Sequence, residues 1–307
     1  MMSKTLSYSI DLNWRKYVRI PPTIHKRIID EINLFKPHVP IELAYCDFSF
    51  TVDLDDEGDE FIKVEAQLDI SEWFDEKEGE LNLHFYDDAI ISRIKDVLFT
   101  INLAYPGYVF IHKSELYRDG LPVGMLSYSN DISGLTHMDC AWLVYEDLTI
   151  QQCWDWITSR TNFLSLISKT SIDRALHALS YESVANEDTF IFYVLMGIEA
   201  IYNDASNRED SIMQQLCRKA QAVLGQFPEK AVKALKEMYA KRSKLVHGSA
   251  NIFKCWDSEI YDEGEYDRME QDRDYMVTAT GILITTVQKF IKADATSLVE
   301  HVTVELK

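Results

Sequence analysis

The chain has 307 residues, 47% hydrophobic and 26% charged, enough for a sizeable core in one large or two ordinary domains. Its formal net charge of −19 keeps it soluble and repels polyanions at long range. That excludes a general nucleic-acid coat protein and leaves room only for a local basic groove.

The acid is unevenly placed. Residues 1–150 hold 13 Lys and Arg against 27 Asp and Glu, whereas residues 208–248 hold nine against four and are locally positive. Five scattered cysteines, Cys46, Cys140, Cys153, Cys217 and Cys255, include no CxxC pair. They argue against a disulfide framework or a zinc site and for free thiols in a reducing compartment. The opening MMSKTLSYSIDLNWRKY lacks an apolar h-region. The longest apolar run, FIFYVLMGI, is far short of the ~20 residues that span a bilayer. The expectation is a cytoplasmic chain with no membrane partner.

In chain order, IELAYCDFSFTVDL (41–54) alternates with one slip that a bulge would absorb, and FIKVEAQLDI (61–70) alternates cleanly. The glycine-bearing acidic turn DDEGDE between them predicts an antiparallel hairpin. LNLHFY (81–86), PGYVFIHK (106–113) and CAWLVYED (140–147) are further strand candidates. DDAIISRIKDVLFTINLAY (87–105) reads as an amphipathic helix opened by two aspartates. Residues 1–148 are therefore expected to form an α+β domain of sensing, regulatory or docking role.

From 149 to 307 the patterns are helical. Helices are predicted over 148–168, over 171–183 with Ser171 as N-cap, and over 186–204, apolar nearly all round and so central. Further helices are predicted over 208–225, over 228–248 with Pro228 in the first turn and Gly248 just past the end, and over about 267–293. This is an all-α helical bundle with short connections. The long aromatic, acidic segment 249–274 reads as a functional loop or a plain solvated one.

The fifth of these helices ends MYAKRSKLVHGSA. At 100° per residue, Val232, Leu235, Tyr239, Arg242 and Val246 share a stripe, and Arg242 lies near its centre. A guanidinium there needs a carboxylate, a phosphate or a water-filled groove, because burying an isolated charge is costly. A structural ion pair is the plain reading. His247 lies ~140° round the helix from Arg242, so the two do not stack as neighbours. The helix C-terminus favours a protonated imidazole, which serves either as a simple charge complement or as a proton-transfer group.

The Arg-x4-His spacing, with GIEAIY (197–202) and LCRKAQAVLG (216–225) ahead of it, resembles the Apea-like group of the HEPN superfamily over about residues 150–295. The resemblance implies a HEPN-like bundle that pairs as a homodimer. Many such proteins are metal-independent endoribonucleases of toxin–antitoxin or antiviral defence systems; others only bind nucleotides or partners. It implies RNA as substrate, no cofactor and no metal. Arg242 would neutralise the scissile phosphate, and His247 would serve as general base or acid toward 2′,3′-cyclic phosphate ends. An antitoxin or regulatory protein is a further implied partner. Ser243 departs from the family's usual Asn, Asp or His after the arginine, which bears on catalytic efficiency.

Around that pair, Glu199 inside an apolar helix needs a partner. It either orients Arg242 or His247, or pairs structurally with Arg174 or Arg218. Lys241 and Lys244 are candidate RNA-backbone contacts or plain surface lysines, and Tyr239 is a packing residue or a stacking platform. His84, His112 and His137 lack metal-type spacing. The acidic turn 53–60 lacks the ligand order of a calcium loop. A guanidinium locked to a carboxylate deep in its own bundle, with the imidazole pointing into bulk solvent, would overturn the nuclease expectation.

Overall fold

The computed structural model describes residues 5–13, 21–41, 44–69, 79–109, 111–128, 142–181, 187–203, 211–249 and 263–299. Two compact units divide the chain. One is Met1–His137 with Thr149–Trp154, and the other is Met138–Leu148 with Asp155–Lys307.

Period-two alternation builds the first unit. Its elements are β1 (Thr5–Asn13), α1 (Pro22–Leu34), β2 (His38–Ile41), β3 (Ala44–Leu54), β4 (Glu60–Asp69), α2 (Gly79–Ala104), β5 (Ile111–Arg118) and β6 (Leu121–Tyr128). The strands form one antiparallel sheet in the order β2-β3-β4-β1-β5-β6. Leu6, Ile10 and Leu12 of β1, Phe48 and Phe50 of β3, and Ile62 and Val64 of β4 are buried. Each such side chain contributes about 1.5–3 kcal/mol. The residues between them, such as Ser7, Asp47 and Glu65, leave the other face polar and exposed. Helix α1 packs on β3 and α2 on β6. The Tyr105 hydroxyl just past α2 donates to Glu31 Oε1 of α1 at 2.7 Å, and Glu31 Oε2 also accepts the Ile150 N–H.

The predicted hairpin is β3–β4. Its register runs unbroken from Tyr45↔Asp69 to Leu54↔Glu60, so there is no bulge. The apparent slip vanishes because Cys46 belongs to the buried row and Tyr45 faces out. In the turn, Asp55 Oδ1 accepts the N–H groups of Glu57 and Asp59, and Gly58 takes φ 85°.

Three strand expectations are corrected. LNLHFY lies inside α2, because no breaker separates it from the helix that follows. The two aspartates expected to open that helix, Asp87 and Asp88, instead sit within it, and Asp87 is 2% exposed and 2.6 Å from Arg118 Nη1 of β5. In PGYVFIHK the strand starts only at Ile111. Residues 106–109 form a loop pinned by the Asn102 amide, which donates to the Val109 carbonyl and accepts its N–H. Residues 142–147 of CAWLVYED form no strand. The Glu146 N–H donates to Gln288 Oε1, and Leu143 is buried in the second unit. Elements β1, α1, β2 and β6 stand outside those predicted.

Regular structure in the second unit is helical throughout the described residues. It comprises the C-terminal part of α3 (Ile150–Arg160), α4 (Ser171–Ser180), α5 (Glu187–Tyr202), α6 (Ile212–Leu224), α7 (Glu229–Val246) and α8 (Glu263–Lys292). The predicted helix 148–168 stops at Arg160. The buried Asp173 carboxylate captures the Asn162 N–H, and the Thr161 hydroxyl accepts that of Phe163. The cap of α4 is Thr170 rather than Ser171, because only Thr170 has an acidic residue, Asp173, three positions on to close a capping box. Pro228 is the N-cap of α7 rather than a first-turn residue. Helix α5 is central as expected, touching α4, α6, α7 and α8. Its Gly197 is a point of close approach: a Cβ there would lie 2.6 Å from Leu283 Cδ2 of α8 and 3.1 Å from Ala178 Cβ of α4. Helix α8 begins at Glu263, four residues earlier than predicted, and takes up the last part of the expected loop; residues 250–262 lie outside the described residues. No helix is long and apolar enough to cross a membrane among those described.

Candidate functional site

Helix α7 buries Ala231, Ala234, Leu235, Met238 and Leu245. That stripe is offset from the one read in sequence: Val232 and Tyr239 are half-buried on its flank, and Val246 is exposed. Arg242 falls at the border, where the buried row would next place an apolar residue. Its side chain is 32% exposed, so the charge sits at the rim of the bundle rather than in its centre.

The partner is Glu199 of α5, 17% exposed, whose Oε1 accepts from Arg242 Nη1. Of the partners left open in sequence, Arg242, His247, Arg174 and Arg218, the carboxylate meets Arg242, and Arg174 donates to Ser171 Oγ. The contact uses one guanidinium nitrogen of three, and among the described residues Nε and Nη2 have no acceptor. Tyr239, one turn before Arg242, turns its hydroxyl into the same corner. Burial, and then the Glu199 charge, hold that phenol protonated well above the usual tyrosine range. Its oxygen is shielded from solvent and faces the Glu199 carboxylate. Tyr239 therefore packs into the Glu199–Arg242 corner and is not an exposed platform.

Sequence also sets the end of α7. Gly248 takes φ 67°, the Gly248 N–H donates to Leu245 O, and the Ser249 N–H donates to Lys244 O. These are the two bonds of a Schellman motif, which places His247 at the C-cap. The imidazole is exposed there, and among the described residues it has no hydrogen bond or ion pair, with Arg242 or any other group. Ser243 and Lys244 are exposed and Lys241 is half-buried on the same turns. One chain thus brings Glu199, Tyr239 and Arg242 together and leaves His247 apart.

Among the described residues no group of three His, Cys, Asp or Glu side chains is placed to hold a metal ion. Cys46, Cys153 and Cys217 are free thiols; Cys140 and Cys255 lie outside the described residues, as does His137. His84 is 3.6 Å from Asp87 on the surface of α2. No family model matches the chain, and no curated protein or solved structure matches it either.

Proposed function

We propose that the chain is a metal-independent endoribonuclease of the HEPN type, acting as a defence or toxin effector held in check by a partner protein. The observation that carries this reading is the state of Arg242: a partly exposed guanidinium with two nitrogens uncommitted among the described residues, five residues before an exposed C-cap histidine. The segment around it is the locally positive part of a strongly acidic chain. A phosphodiester oxygen takes the free Nη2 and Nε donors.

Because His247 stands apart from Arg242 in one chain, the reaction requires two copies about a two-fold axis. One His247 removes the 2′-hydroxyl proton as that oxygen attacks phosphorus. The His247 of the second copy gives a proton to the departing 5′-oxygen. The products are a 2′,3′-cyclic phosphate and a free 5′-hydroxyl. Lys241 and Lys244 add backbone attraction, and Tyr239 and Glu199 fix the direction of Arg242. The acidic α+β unit serves regulation or docking of a basic partner.

A second reading, a non-catalytic interaction or nucleotide-sensing protein, is favoured by one observation: Arg242 already has a carboxylate partner in its own chain, so its burial needs no phosphate. One experiment separates the two. Wild type, His247→Ala and Arg242→Ala are incubated with mixed RNA in EDTA and the ends are mapped. The nuclease reading expects cyclic-phosphate ends from wild type and a loss of roughly 100-fold or more in His247→Ala. Equal background from all three proteins leaves only the interaction reading.

A further inference from the structure

Helices α4 and α5 run antiparallel, with Gly197 against Ala178 and Ala175. At the end of that pair, Tyr181 and Tyr193 stack with ring centroids 4.2 Å apart and planes 8° from parallel. Tyr181 is 44% exposed and sits at the C-cap of α4, while Tyr193 is half-buried behind it. A near-parallel pair at this distance is an offset stack, in which Tyr193 fixes the tilt of the more exposed Tyr181 ring from behind. Met196, 42% exposed, continues the surface along α5 toward Glu199 and Arg242. Tyr193 and Glu199 are six residues apart, about 9 Å along the axis. Arg174 precedes Tyr181 by seven residues, two turns on the same stripe of α4, and is exposed.

We infer that the Tyr181–Tyr193 stack is a platform for one unpaired nucleobase of the strand whose phosphate meets Arg242. The inference rests on the nuclease reading and narrows its substrate to single-stranded RNA. A base in a duplex is already stacked on both sides and has no free face to offer. Ring stacking tolerates every base, so the platform sets strandedness and register rather than sequence. Because α4 and α5 run antiparallel, Arg174, next to Ala175, lies near the level of Gly197, on the same side of the stack as Arg242, and adds backbone attraction there.

The test uses the full-length chain and an unstructured 2′-O-methyl oligonucleotide of about eight residues, which binds but lacks the attacking hydroxyl. Fluorescence anisotropy compares wild type, Tyr181→Ala, Tyr181→Trp and Arg242→Ala. Tyr181→Ala is expected to bind about tenfold more weakly, and Tyr181→Trp as well as wild type or better. A fully abasic oligonucleotide should abolish the difference between wild type and Tyr181→Ala, a comparison that needs no altered core. If Tyr181→Ala binds within about twofold of wild type while Arg242→Ala is weakened, the platform is overturned and the nuclease reading stands. If Arg242→Ala also binds like wild type, and mixed RNA is not cleaved, the nuclease reading falls and takes the platform with it.

Discussion

Asp173 gathers three backbone N–H groups from outside regular helix bonding. It is fully buried and accepts the N–H groups of Asn162, Lys169 and Thr170 at 2.8–3.0 Å, with the Asn162 amide at 3.3 Å. It thereby ends α3, shapes the loop and caps α4. Burial alone would raise its pKa, but the donated hydrogen bonds outweigh that and hold the carboxyl below the usual range. A group with a lowered folded-state pKa stabilises above its unfolded value, about 3.9, and loses that contribution as pH falls through the folded value. Asp173→Asn should cost about 1–3 kcal/mol at pH 7, because an amide nitrogen then faces backbone donors. In urea melts the gap between wild type and variant should shrink below about pH 4. A gap that stays constant to pH 3 would mean that the carboxylate's charge is not what holds the loop.

At the scale of elements, the contact at Gly197 decides whether α5 can sit between α4 and α8. Leu283 is fully buried and Ala178 has no side-chain freedom, so neither yields easily to a new methyl. Gly197→Ala should lower stability by about 1–3 kcal/mol by overpacking, despite alanine's better helix propensity. Thermal denaturation reads the sign directly; a gain in melting temperature would show that the helices can part without cost. Much of this bundle was legible because Gly225 and Gly248 mark helix ends and the apolar density of 190–198 marks a central helix. The β3–β4 hairpin was legible for a similar reason, since its turn chemistry and alternation agree. LNLHFY was not, because six alternating residues fit a strand as well as a helix turn, and only the absence of a breaker before Asp87 decides. The α4 cap could have been read from Thr170-x-x-Asp173. The Glu199–Arg242 pairing could only be named as one option, since helix phase sets a face but not the neighbour across it. Nothing local links Tyr181 to Tyr193, which twelve residues separate, so the stack needed coordinates.

For the whole molecule, net charge sets how any RNA contact must behave. With −19 overall, long-range attraction is absent, and every favourable phosphate contact comes from short-range groups on the positive segment 208–248 and its neighbours. Such contacts release counterions in proportion to their number, with a slope of about −0.7 per phosphate on single strands. Three to four contacts predict a slope of roughly −2 to −3 in log affinity against log salt. Going from about 50 to 200 mM salt should then weaken oligonucleotide binding by about fifteenfold to sixtyfold. Lys244→Ala should flatten the slope by about 0.7 if that lysine reaches the backbone, whereas Tyr181→Ala should shift the line without changing its slope. The two variants thus separate charge contacts from stacking on one plot. A flat line for wild type would show that no phosphate is neutralised, and the partly exposed Arg242 would then have no anion to meet other than Glu199.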